Sequence, residues 1–169
     1  MYHLDVFDKY HVNITWHDIY LGLKKDFLNL EDVRDYALRC LESEANSCEE
    51  INDLAWKNDD KTFVFSCIEK IIKNKGIVND EESKSKWQYC IIKSLRDSIL
   101  NYQELSSKLD ELYADFDYPE DMEEFISYMP IKDGYNPTKH SKEDNIQRIM
   151  NKIDLFLDKK QKLITTDLS

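Results

Sequence analysis

A chain of 169 residues with a 41% hydrophobic share and 12% aromatics can bury a core and is too apolar for disorder. Its three glycines, Gly22, Gly76 and Gly134, lie far apart, which excludes a phosphate-binding loop or a dinucleotide fingerprint and disfavours turn-rich β architecture. A formal net charge of −11 argues against nucleic-acid binding, because phosphate neutralisation needs clustered cations.

Residues 1–14 are mixed, with one short turn expected around Leu4–Tyr10. Thr15 is placed to cap a helix over Trp16–Leu28, whose apolar positions Trp16, Ile19, Tyr20, Leu23 and Phe27 recur every three or four residues. Asn29 caps a second helix over Leu30–Glu44. Ser47-x-x-Glu50 has the spacing of a capping box and opens a short helix through Ile51 and Leu54. Asp59 or Asp60 opens an apolar helix that Gly76 stops. Asn79 or Asp80 begins a longer one with a break near Asn101, and the pattern resumes through Leu105, Leu109 and Leu112. Pro119 suits the first position of a short helix capped by Asp117 or Tyr118. Residues 127–140 read as a loop, and Ser141-x-x-Asp144 opens the last helix. Tyr10–Trp16 has only a weak strand pattern. The fold class expected is all-α, a single compact multi-helix bundle of about seven or eight helices in one domain.

No run approaches the roughly 18 apolar residues of a membrane span, and Met1–Asp5 lacks the basic and apolar regions of a secretion signal. Four cysteines, Cys40, Cys48, Cys67 and Cys90, contain no C-x-x-C and read as reduced, mostly buried thiols. A cytoplasmic protein with no membrane partner is expected.

The charge is uneven. Residues 1–60 carry a net −8 and residues 103–133 another −8, whereas 61–102 carry +3 and 134–169 carry +2. Eight acids fall within fifteen residues: Asp110, Glu111, Asp115, Asp117, Glu120, Asp121, Glu123 and Glu124. Helix capping and the helix dipole account for part of that excess, as Asp117, Glu120 and Asp121 sit where a helix begins. Tyr113, Phe116, Tyr118, Phe125 and Tyr128 are interleaved. Two structures fit: a solvated acidic face over a core-facing aromatic stripe, or a binding surface in which charges steer and aromatics anchor. The candidate partner-binding set is Asp110, Glu111, Asp115, Asp117, Tyr118, Glu120, Asp121, Glu123, Glu124 and Tyr128.

Signals for catalysis are weak. His3, His11, His17 and His140 make no metal-binding i, i+4 pair, and neither H-E-x-x-H nor G-x-S-x-G occurs. His17-Asp18 sets an imidazole beside a carboxylate, and His11 joins them only if the N-terminal segment folds back. The run from Asp115 to Asp121 offers calcium-type ligands, but Pro119 interrupts it and Ile126 stands where the twelfth-position Glu belongs. No cofactor and no catalytic residue is expected.

The segments Leu112–Asp121, reading L-Y-A-D-F-D-Y-P-E-D, and Phe125–Pro130, reading F-I-S-Y-M-P, resemble the signature of a small bacterial family of unknown function. Ile14-Thr15-Trp16-x-x-Ile19-x-x-Gly22, Tyr36-Ala37 and Lys86-Trp87 are similar to its opening and middle. The resemblance covers about residues 12–160 and implies no activity. In size, helicity and acidity the chain is also similar to immunity proteins that neutralise secreted bacterial toxins. That likeness implies a protein partner, a basic toxin domain, met through the acidic stretch. The alternatives are an uncharacterised interaction module or homodimer with no toxin partner, and a metal-dependent enzyme using His17, Asp18 or the 115–121 carboxylates.

Overall fold

The computed structural model describes residues 2–43, 48–57, 59–76 and 79–165. All regular structure in them is helical: α1 Asp5–Lys9, α2 Trp16–Lys24, α3 Leu30–Glu42, α4 Glu49–Trp56, α5 Lys61–Lys75, α6 Asp80–Ser98, α7 Tyr102–Asp115 and α8 Lys142–Thr165. Two short 3-10 turns, Glu120–Phe125 and Pro137–Lys139, bring the helical segments slightly above the expected number. Tyr10–Trp16, the weak strand candidate, contains no strand. No helix among the described residues is long and apolar enough to cross a membrane.

Several starts follow from the caps read in the sequence. Thr15 and Asn29 each form a reciprocal capping box, with Asp18 and Asp32, and so satisfy backbone donors at the openings of α2 and α3. Asp60 caps α5, Asn101 caps α7, and Ser141 exchanges hydrogen bonds with Asp144 at the start of α8. Ser47 lies outside the described residues; α4 begins after Cys48, which makes no side-chain cap bond.

The ends hold more surprises. A Schellman motif closes a helix by a six-to-one and a five-to-two backbone bond around a left-handed residue, usually glycine. Three helices here close that way without glycine. After α1, His11 has φ 55°, with Val12 N–H bonded to Phe7 O and His11 N–H to Asp8 O. After α2, Asp26 has φ 54°, with Phe27 N–H bonded to Gly22 O at 2.8 Å. After α7, Asp117 has φ 62°, and Tyr118 N–H reaches Tyr113 O at 2.9 Å. The helix expected over Trp16–Leu28 therefore stops at Lys24, because Asp26 turns the chain. Among the described residues, only α5 stops on a glycine, Gly76 at φ 74°.

The same motif corrects the reading around Pro119. Asp117 does not cap the following segment; it ends the preceding one. Pro119 occupies the N-cap position rather than the first helical position, and Glu120–Phe125 is a 3-10 turn. A proline just past a Schellman turn prevents the helix from continuing.

The chain forms two compact units, Met1–Trp87 and Gln88–Ser169. In the first, α4 pairs with α3 and with α5, and α2 packs on α5. Its interior holds Phe7, Ile19, Leu54, Ile68 and Trp87, each exposed by 1% or less. In the second, α8 packs on the Glu120–Phe125 turn, with Phe125 and Phe156 edge to face at 5.2 Å. Cys67 and Cys90 are buried, Cys40 and Cys48 are half-buried, and all four are free thiols.

Candidate functional site

The site candidates of the second unit start from the end of α7. Tyr113 is the third residue from its C-terminal end and is buried, 3% exposed. The Schellman turn brings Tyr118 back over it, ring centroids 5.3 Å apart at 83°. Such a contact between the residue after the turn and the last helical turn commonly accompanies the motif. Tyr118 is itself left-handed, φ 58°, so two successive non-glycine residues occupy a strained region. Tyr128 also packs against Tyr113, centroids 6.2 Å apart at 59°. Tyr118 and Tyr128 are 63% and 58% exposed. Phe116 and Phe125, the other aromatics of the stretch, are buried. The aromatic stripe thus divides, two rings to the core and two tyrosines to solvent, with Tyr113 between.

The acids divide as well. Asp110 accepts the Ser127 N–H at 2.9 Å and the Ser127 hydroxyl at 2.5 Å, which ties α7 to the segment after the 3-10 turn. Glu111 pairs with Lys108 one turn earlier on α7. Asp121 pairs with Lys160 at 2.8 Å, Glu124 with Lys152 at 3.4 Å, and Asp133 with Arg148 at 2.6 Å. Arg148, Lys152 and Lys160 follow one another at helical intervals on α8, so they form a cationic stripe facing the acidic segment. Glu123 takes Lys132. Asp115, Asp117 and Glu120 stand exposed.

Electrostatics follow these contacts. Desolvation, then the Glu123 carboxylate and the Tyr128 hydroxyl, raise the Tyr113 pKa. Desolvation, then Asp110 and Tyr118, raise that of Tyr128. The three hydroxyls thus share one neighbourhood with two carboxylates. Asp133 is held below the usual carboxylate range by Arg148 and by the Tyr135 backbone N–H.

Of the ten expected binding residues, then, Tyr118, Tyr128, Asp110 and Glu123 gather around Tyr113. Asp121 and Glu124 are drawn to α8, and Glu111 is spent on a local pair. The sequence reading missed the cations that answer these acids. The signal was present as Arg148, Lys152 and Lys160 at spacings of four and eight on one helix.

In the first unit the histidine and carboxylate candidates separate. Asp18 is fully buried and belongs to a closed network. It accepts from Thr15 N–H and hydroxyl, from Ser83 Oγ at 2.5 Å and from Lys86 Nζ at 3.1 Å. Its backbone carbonyl accepts from Trp87 Nε1 at 2.9 Å. Glu82 holds the same Lys86 ammonium at 3.0 Å. Burial opposes the charge of Lys86, but Asp18 and Glu82 outweigh it and its pKa is raised. His17 does not turn to Asp18; its Nε2 meets Asp80 at 2.6 Å. Among the described residues no group of three or more His, Cys, Asp or Glu side chains is arranged to hold a metal ion.

These contacts give the quoted motif residues physical roles. Trp16 packs on Tyr36 at 4.8 Å, and the Tyr36 hydroxyl bonds Ile14 O. Lys86 and Trp87 secure α6 to the start of α2. The Y-A-D-F-D-Y-P run is a helix terminator.

No curated protein and no solved structure matches the chain. The model of the family described as an uncharacterised protein conserved in bacteria, DUF2247, matches residues 4–161, and the chain belongs to that family.

Proposed function

We propose that this chain is a non-catalytic binding protein of the immunity type, meeting a basic protein domain at the face that carries Tyr118 and Tyr128. The observation that carries this reading is the pair of tyrosines, more than half exposed, set among exposed Asp115, Asp117 and Glu120. Tyrosine is rigid and amphipathic, and it anchors interfaces at low entropic cost. The acidic block around it, net −8 over residues 103–133, steers a basic partner toward the face. Asp121 and Glu124 are engaged by α8, while Asp115, Asp117 and Glu120 lie exposed beside Tyr118.

The test pairs the purified chain with the product of the neighbouring gene and follows association by calorimetry at several salt concentrations. A basic toxin-domain neighbour should bind, and Asp115→Lys combined with Glu120→Lys should weaken binding by about tenfold or more, mostly through the association rate. A neighbour that does not bind, or whose affinity ignores both salt and charge reversal, overturns the reading.

Self-association is the second reading. It is favoured by Leu155 and Leu163 on α8, which are 64% and 51% exposed. Light scattering over a wide concentration range decides it: a strict monomer argues against a homodimer.

A further inference from the structure

We propose that Tyr113, Tyr118 and Tyr128 form an aromatic corner that receives an arginine side chain from the basic partner. This rests on the binding reading above and assigns the tyrosines their chemistry within it.

The geometry has a floor and two walls. The buried Tyr113 ring is the floor, and Tyr118 stands on it at 83° and Tyr128 at 59°. Tyr118 and Tyr128 remain 63% and 58% exposed, and the negative faces of exposed aromatic rings attract a cation. Carboxylates complete the corner. Glu123 lies against the Tyr113 hydroxyl, and Asp110 lies near that of Tyr128.

The chain itself already places a cation at this rim. Lys132 sits on Glu123 with its side chain 64% exposed, close enough to ease ionisation of Tyr113. An exposed lysine on a loop is a weak, displaceable occupant, since exposed ion pairs contribute little. The corner therefore accepts positive charge, and its resident can leave.

Arginine fits better than lysine. A guanidinium stacks flat on an aromatic ring while its edge donates two bonds to a carboxylate; an ammonium can do only one of these well. The same unit contains this arrangement in intramolecular form. Arg148 lies 4.3 Å over the Tyr135 ring while donating to Asp133 at 2.6 Å. Tyr118 and Tyr128 offer exposed rings for the same purpose, and Glu123, now holding the exposed Lys132, offers the carboxylate.

The experiment titrates the full chain with a capped peptide of alternating arginine and glycine, observed through the tyrosine ring resonances by NMR. Its control is the same peptide with citrulline, which keeps the shape and removes the charge. The arginine peptide should shift the Tyr118 and Tyr128 signals and the citrulline peptide should not. Tyr118→Leu or Tyr128→Leu should weaken binding roughly two- to fivefold, the scale of an exposed cation–π contact, while Tyr118→Phe retains it. Lys132→Ala should strengthen binding by removing the resident cation.

Binding that survives both leucine variants, or is lost equally with phenylalanine, overturns the corner and leaves the acidic-surface reading standing. Equal binding of the citrulline peptide also overturns it. Tyrosine signals that move with protein concentration alone identify a second copy as the occupant and overturn the arginine assignment. If the arginine peptide perturbs neither the tyrosines nor the carboxylates of residues 110–124, both proposals fall together.

Discussion

A β-carbon on Gly22 would stand 2.4 Å from Cζ2 of Trp87 and 2.9 Å from Cδ1 of Leu28. Gly22 lets the α2 backbone lie directly on the indole, while the indole N–H bonds Asp18 O in the same helix. Gly22→Ala should therefore destabilise the protein by about 1–3 kcal/mol, the usual cost of overpacking. Gly134→Ala is the contrast: nothing lies within 4 Å of its β-carbon, and only its φ of +73° is strained. Urea unfolding of the two variants should rank Gly22→Ala as the more damaging.

The Asp18–Lys86 pair is buried on both sides, with side chains 0% and 5% exposed. Removing one member of such a pair leaves the other uncompensated. Lys86→Met should cost about 3–5 kcal/mol by denaturant titration. The pH dependence has a definite sign. A lysine pKa raised in the folded state contributes stability that is fully present below the unfolded value of 10.5 and is lost as pH rises through the folded value. The gap in stability between wild type and Lys86→Met should narrow in that alkaline range. A gap that stays constant would show that the pair contributes no linked proton.

His11 sits at the left-handed position after α1 at φ 55°. Left-handed backbone costs an L-residue about 1–2 kcal/mol, and glycine's greater freedom in the unfolded chain returns part of that. His11→Gly should raise stability by roughly 0.5–1 kcal/mol, and His11→Val should lower it, since a β-branched side chain tolerates this region poorly. Thermal melts of both variants would show the expected opposite shifts.

In the second unit, Asp133 joins Arg148 and the Tyr135 N–H, and its pKa is lowered from 3.8. A depressed carboxylate contributes stability that is present above the unfolded value and is lost as pH falls through the folded one. Acid titration should show the second unit weakening below pH 3.8, and Asp133→Asn should flatten that dependence. Tyr135 makes a sensitive reporter, being stacked on His140 at 4.6 Å and covered by Arg148.

The legibility of the sequence differed by kind of signal. Thr15, Asn29, Asp60 and Ser141 were readable as caps because a cap depends on residues one to three positions away, whereas Asn101 was read only as a break and the structure makes it the cap of α7. The stops at Asp26 and Asp117 were not readable, because a left-handed turn normally announces itself with glycine and these positions carry aspartate. Pro119 was placed one position too far into its helix for the same reason: the turn before it belonged to α7. His17 looked like a partner for Asp18 by adjacency, yet neighbours along a helix point in different directions, and Asp80 from α6 takes the imidazole instead.

Local chemistry and periodicity thus determined the all-helical class, the number of helices to within a few, and nearly every helix start. They also located the acidic block and its tyrosines. Tertiary structure alone decided what that block is. Burial sends Phe116 and Phe125 inward and leaves Tyr118 and Tyr128 outside. The cationic stripe of α8, remote in sequence, claims Asp121 and Glu124. Charge composition is a sum over residues, whereas a surface potential depends on which opposite charges the fold brings within a few ångströms. That dependence on distance sorts the eight acids of a fifteen-residue stretch into those paired within the fold and those exposed beside three tyrosines.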